Sequence, residues 1–497
     1  MQRFKTIQKQ LKNNISKLRL GNSLKIKAAR GSLWLGILGG CEHGFRLVRN
    51  MILTRLLAPE VFGLMAIVLT IGAAFETFTE IGIKQAIIQN PRGSESAYLN
   101  GAWWLSFGRA IFLYTIAFFS APWLADFYGN QELVPLIRMV FLAIVFKGAM
   151  SFEAHIAVKN MQFKQWSIIN YGGGIIGIVT AVVLAFIVKN IWALAIGFIV
   201  ESASRFLLSY IICHFCPGLT FEKCHLKALF KYARGMFGLP ILYFIFTRAD
   251  IFVIGKLCSK YDLGLYSMAV ALACAPLQLI GAIFNEIAMP AFSKIQSDMN
   301  RINSSIVKSV SLIALGGVPI LFFVSLYGKS ILSMIYGYEY AMVSLPFAII
   351  FCNELLKTIS MPFATLFFAI GHPELHRLFT GVRAILLLVL IYPAVKYYGI
   401  TGAALSIFVS MVVSFVLIVT RISLLINFNM IRFLKIMKSA IIISLPVLLM
   451  WFFTHIIFET TNMVSMFAGI LGCTISYGFA IPAFFNINLG ETVQIHN

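Results

Sequence analysis

Residues 39–58 read GGCEHGFRLVRNMILTRLLA. The flanks are apolar enough for a membrane, yet Glu42, His43, Arg46 and Arg49 lie inside the stretch. One charge at the centre of a bilayer costs about 2.5–3.5 kcal/mol on insertion scales. Four facing lipid would cost on the order of 10 kcal/mol, as much as the whole stability of a domain. They must therefore face protein or water. Glu42, Arg46 and Arg49 step by four and then three residues, which sets them on one face of a helix. His43 lies beside that face, so the stripe points inward.

The whole chain supports this reading. It has 497 residues, 59% of them hydrophobic and only 12% charged, with a mean hydropathy of +0.87. Soluble domains run at about 45–50% apolar and about 25% charged. The class expected is an all-α polytopic membrane protein. Lys and Arg number 40 against 19 Asp and Glu. Topology, rather than nucleic acid, accounts for much of that excess. Fourteen apolar stretches follow one another between residues 33 and 485, each near the ~20 residues that cross a bilayer. With the N-terminus inside, the cytoplasmic segments carry 25 Lys and Arg and the opposite side 5. The positive-inside rule then places both termini in the cytoplasm. Residues 1–30 hold nine basic residues and no acid, with Phe4, Ile7, Leu11, Ile15 and Leu18 at helical spacing. Such a segment is expected to lie on the anionic inner leaflet.

An internal repeat organises the chain. LLAPEVFGLMA (56–66) matches LCSKYDLGLYS (257–267) at an offset of 201, and IWALAIGFIVES (191–202) matches ITGAALSIFVSM (400–411) at 209. Six spans followed by six more in the same orientation make two lobes in pseudo-two-fold repeat. The organisation expected is a cytoplasmic segment over 1–30, an N-lobe over 31–215, a C-lobe over 216–425, and two extra C-terminal spans over 426–497.

No nucleotide-binding loop GxxxxGK[ST] occurs. HPELH (372–376) has its Glu midway between the histidines, not the spacing of a zinc protease. Cys213, Cys216 and Cys224, with His214 and His225, suit no common zinc module. The glycines of YGGG (171–174) point to close helix packing, because no strand precedes them. No enzyme chemistry, metal or cofactor is expected. Intramembrane charge remains. Glu76, Glu80 and Lys84 step by four on span 2; Glu201 and Arg205 lie on span 6; Arg248 and Asp250 on span 7; Asn353, Glu354 and Lys357 on span 10. For Glu42–Arg46 and Glu201–Arg205 two readings stand: a polar lumen, or internal pairs that only lock helices together.

FGLMAIVLTIGAAFETFTEIGIKQAIIQ (62–89), YARGMFG (232–238), PAFSKIQSD (290–298) and GITGAALS (399–406) resemble the polysaccharide-transporter branch of the multidrug/oligosaccharidyl-lipid/polysaccharide flippase superfamily. The likeness is greatest to O-antigen flippases of the colanic-acid-exporter type and covers residues 31–425. It implies a bacterial inner-membrane flippase for a polyprenyl-diphosphate-linked oligosaccharide, working by alternating access with H+ or Na+ coupling. It also implies polysaccharide polymerase and chain-length machinery as partners. With such a cargo, Arg46, Arg49 and Arg248 are the candidates for head-group binding, since guanidinium forks match phosphate and carboxylate. Glu42, Glu76, Glu80 and Asp250 are the candidates for proton coupling or charge balance. Two other functions fit a chain of this class: a drug or cation antiporter of the same superfamily, and a non-transporting scaffold for glycan assembly. The first needs an acidic, aromatic cavity; the second tolerates neutralisation of the arginine stripe.

Overall fold

The computed structural model describes residues 24–79, 82–83, 86–87, 90–160, 162–218, 239–294, 298–370, 372–426, 428, 430–457 and 462–494. Every regular element among them is helical. The run opens with α1 (Leu24–Leu56), α2 (Pro59–Phe78), α3 (Ser96–Tyr128), α4 (Leu133–Gly148) and the short α5 (Glu153–Lys159). It continues with α6 (Phe163–Val188), α7 (Ile191–Ile212), α8 (Leu239–Leu257), α9 (Lys260–Lys294), α10 (Met299–Ile335) and α11 (Ser344–Ala369). Pro373–Ile426 is one helical run broken at Gly399 (φ 55°), giving α12 before the break and α13 after it. α14 (Met430–Ile443), α15 (Leu445–Ile457) and α16 (Asn462–Gln494) complete the chain.

Local sequence explains the breaks. Asn190 caps α7 by accepting the Trp192 N–H at 3.0 Å, and Asp298 caps α10 by accepting that of Arg301 at 3.1 Å. Pro59 opens α2, where its missing N–H costs nothing. Gly129 (φ 65°) ends α3 in the left-handed conformation.

Nine described helices are long and apolar enough to cross a membrane, or ten if α4 and α5, bent by 60°, form one span. The run over α12–α13 holds 52 such residues, enough for two crossings. Each of the fourteen apolar stretches read in the sequence falls mainly on helix over its described residues. The chain is a multi-pass membrane protein.

The chain divides into two compact units. The first takes the residues up to Arg49 together with Ile71–Pro240; the second takes Asn50–Thr70 and everything from Ile241 onward. Within the first, α6 and α7 meet backbone to backbone. A Cβ on Gly177 would lie 2.9 Å from the Gly197 carbonyl, and one on Gly197 would lie 2.6 Å from the Ala181 Cβ. Within the GGG itself, a Cβ on Gly173 would lie 3.0 Å from the Arg205 backbone nitrogen, so this glycine serves helix packing.

In the second unit the two copies of the first repeat pack on each other. Gly63 and Gly264 are separated by the repeat offset of 201. A Cβ on Gly63 would collide with the Lys260 carbonyl, and one on Gly264 with the Pro59 carbonyl. Lys260 and Pro59 are themselves 201 apart, so the crossing is reciprocal. Arg55 Nη2 donates to the Met334 carbonyl at 2.7 Å and fastens the same turn. α16 is joined to α10, where Tyr477 Oη donates to the Gly316 carbonyl at 2.8 Å.

Candidate functional site

Four charged side chains meet in the first unit. Glu42 and Arg46 are one turn apart on α1, and Glu201 and Arg205 one turn apart on α7. Arg46 donates to Glu42 Oε1 from Nε (3.0 Å) and Nη2 (2.8 Å). The same Nη2 donates to Glu201 Oε1 at 2.7 Å. Arg205 Nη2 closes the ring at 2.7 Å from Glu201 Oε1 and 3.7 Å from Glu42 Oε1. Arg205 Nε donates to the Asn170 carbonyl at 3.1 Å, inside the π-helical turn Ile168–Gly172. Two arginines and two glutamates cancel, which is what a low-dielectric site demands of charge held there.

Glycines make the room. A Cβ on Gly173 would overlap the Arg205 side chain, one on Gly177 the Glu201 side chain, and one on Gly174 would lie 2.8 Å from Glu42 Oε1. α6 thus offers bare backbone where α1 and α7 bring their charges. The glutamates are the enclosed members, with side chains 10% and 7% exposed. Arg46 is 32% exposed, and its Nη1 makes no hydrogen bond with any described residue. The quartet therefore leaves one terminal nitrogen, Arg46 Nη1, outside its hydrogen bonds with the two glutamates.

The repeat offset of 209 shows what stands at the corresponding positions further along the chain. Adding 209 to Arg205 and Asn170 gives Ser414 and Phe379, and Ser414 Oγ donates to the Phe379 carbonyl at 3.2 Å. The helix-to-helix hydrogen bond is kept, but in the second unit serine makes it. Ser410 stands where Glu201 does, and its Oγ donates to the Ser406 carbonyl at 2.7 Å. An ion quartet in one unit thus has a hydroxyl ladder as its counterpart in the other.

A second polar centre lies in the second unit. Asp250 on α8 is buried, and Tyr266 Oη on α9 donates to its Oδ2 at 2.9 Å. On α11, Lys357 Nζ binds both oxygens of Glu354 (3.0 and 3.3 Å), and Asn353 Nδ2 donates to Glu354 Oε1 at 3.2 Å. Arg383 on α12 is 8% exposed and sits 4.7 Å from the centroid of the Phe246 ring. Among the described residues no group of His, Cys, Asp and Glu could hold a metal ion, and the described cysteines are free.

The model of the polysaccharide biosynthesis protein family matches residues 52–345. The chain belongs to that family. Its relatives include the lipopolysaccharide biosynthesis protein WzxC of Escherichia coli (strain K12), 24% identical over 402 residues and covering 80% of each chain. Another is the succinoglycan biosynthesis transport protein ExoT of Rhizobium meliloti (strain 1021), 25% identical over 301 residues and 60% of each. The fold is that of the lipid II flippase MurJ in an inward closed conformation, with a TM-score of 0.74 at 14% identity, over 91% of this chain and 99% of that one.

The site candidates fall into separate groups in this family member. Glu42 and Arg46 join the quartet. Arg49 is half-buried one turn further along α1, in the same unit. Glu76 is paired elsewhere, with Lys147 Nζ at 2.9 Å. Arg248 is exposed on α8, two residues from buried Asp250. Glu80 lies outside the described residues, as do residues 1–23, YARGMFG (232–238), Cys224 and His225. Glu201 and Arg205 are read in the sequence as a charged pair, and they do pair at 2.7 Å, but neither is a head-group or coupling candidate there; Arg383 is not singled out. Glu201 and Arg205 carried a usable signal, since their four-residue step repeats that of Glu42 and Arg46. Arg383 stands alone in its span and carried none.

Proposed function

We propose that this chain moves a polyprenyl-diphosphate-linked oligosaccharide, a repeat unit of capsule, exopolysaccharide or O-antigen, across the bacterial inner membrane by alternating access. The observation that carries the proposal is the Arg46 guanidinium, 32% exposed and held by two carboxylates, in a member of the polysaccharide biosynthesis protein family. Diphosphate cannot cross hydrocarbon without a compensating charge, and a planar guanidinium fork matches it in two hydrogen bonds. Incoming phosphate competes with Glu42 and Glu201 for the same nitrogens. A carboxylate so released can exchange a proton, which ties cargo binding to an H+ gradient. Na+ is the other coupling ion that a released carboxylate accepts. Both termini lie in the cytoplasm in this reading, and the polymerase and chain-length machinery receive the cargo on the far side.

The test is genetic and chemical. Deleting the gene should strip the glycan from the cell surface and leave its lipid-linked precursor in the inner leaflet. Wild type should restore export, and Arg46→Ala should not, at equal abundance in the membrane. Arg46→Lys keeps the charge but loses the fork and should restore it in part. Precursor distribution unchanged by the deletion would refute the function. Normal export by Arg46→Ala would return the quartet to a purely structural role and favour the scaffold.

A further inference from the structure

The second unit contains a buried cation, Arg383, whose charge no ion pair with a described residue balances. Arg383 forms no hydrogen bond and no ion pair with any described residue. Its Nε is sealed without a partner, and of the guanidinium nitrogens it alone is fully enclosed. Its electrostatic neighbours are Glu354 and Tyr243. Glu354 is already occupied, with both oxygens on Lys357 Nζ. Of the three charges Glu354, Lys357 and Arg383, one positive charge is left over. Phe246 covers one face of the guanidinium at 4.7 Å. A cation–π contact of this kind offsets only part of the cost of burying an ion.

We propose that Arg383 binds the carboxylate of an acidic sugar in the cargo; this subsite rests on the glycan reading above. Charge and shape both favour a sugar carboxylate over diphosphate. The surplus is a single positive charge, which one carboxylate balances and a diphosphate exceeds. The sealed Nε leaves the two terminal nitrogens as the approachable edge, a fork with two parallel donors. Tyr243, 59% exposed on the same helix as Phe246, offers an aromatic face beside it for the apolar side of a pyranose ring. The repeat makes the feature specific to this unit. Position 383 corresponds at the offset of 209 to Gly174, where the first unit has no side chain at all.

The experiment uses the full-length protein in lipid nanodiscs, with sodium glucuronate, methyl glucoside and inorganic pyrophosphate as probes in saturation-transfer NMR. Wild type should bind glucuronate and not methyl glucoside, and pyrophosphate should displace glucuronate only weakly. Arg383→Gln should weaken glucuronate at least about tenfold, the scale of one charge-assisted contact. Arg383→Lys should recover part of the binding. Arg138→Gln removes another arginine stacked on an aromatic ring, 4.3 Å from Phe118, and should change nothing. If Arg383→Gln unfolds the protein, Tyr243→Ala serves in its place and should also weaken glucuronate. Absence of glucuronate binding by wild type, equal binding by Arg383→Gln, or strong displacement by pyrophosphate would each overturn the subsite. If the deletion strain keeps its surface glycan while glucuronate still needs Arg383, the subsite stands and the cargo reading falls.

Discussion

Glu201→Gln tests the quartet most directly. Glu201 Oε1 accepts from both Arg46 and Arg205 at 2.7 Å, and its side chain is 7% exposed. Gln keeps the shape and removes the charge, leaving two guanidinium groups to share Glu42. Removing one partner of a fully buried ion pair costs about 3–5 kcal/mol. Two features reduce that here. Arg46 and Arg205 are 32% and 22% exposed, so water screens part of the unbalanced charge. Glu42 stays 2.8 Å from Arg46 and 3.7 Å from Arg205. The expected loss is therefore about 2 kcal/mol, or about 30-fold in the folded-to-unfolded ratio. The assay is denaturant unfolding of the purified protein in one detergent, with membrane abundance in cells measured beside it. Replacing both members, Glu201→Gln with Arg205→Gln, removes charges of opposite sign and should recover most of the stability. Export should remain impaired in the double variant, because Arg46 has lost one of the two carboxylates that cargo must displace. Unchanged stability in Glu201→Gln, or a double variant no better than the single, would refute the idea that the four charges act as one unit. A stable double variant that exports normally would leave them a structural lock.

Four further outcomes can be measured, the last resting on the sequence alone. Gly63→Ala and Gly264→Ala each push a methyl group into the carbonyl of the crossing helix, which cannot rotate away; each should destabilise by about 1–3 kcal/mol, and protein level together with thermal inactivation reads it. Gly108→Ala, where a Cβ meets nothing within 4 Å, should be neutral or slightly stabilising in the same assay. Glu76→Gln breaks a pair whose side chains are 31% and 39% exposed, so purified-protein stability should fall by less than about 1 kcal/mol. Reporter fusions at Gly129 and Asn497 should report opposite sides of the membrane, as the 25-to-5 distribution of Lys and Arg demands; agreement between them would overturn the span order.

The all-helical membrane class is legible along the chain, and an orientation and a repeat can be expected from it, because each depends on local quantities. Hydropathy needs a window of ~20 residues, the charge count needs only loops, and the repeat needs two matching segments. That Glu42 and Arg46 turn toward protein was legible for the same reason, since helical period and the cost of charge in lipid together leave one orientation. What the stripe meets was not. Arg46 and Glu201 are 155 positions apart, and hydropathy carries no information on which helices become neighbours. Tertiary packing decided that α1 and α7 share one quartet, that the bare backbone at Gly173, Gly174 and Gly177 admits it, and that Glu76 turns to Lys147 instead. It also decided the opposite case of Arg383, a lone arginine in an apolar span, whose missing partner shows only once Glu354 is seen bound to Lys357. Pairing depends on distance in space, and for these charges that distance is set by helix contacts the chain makes only when folded.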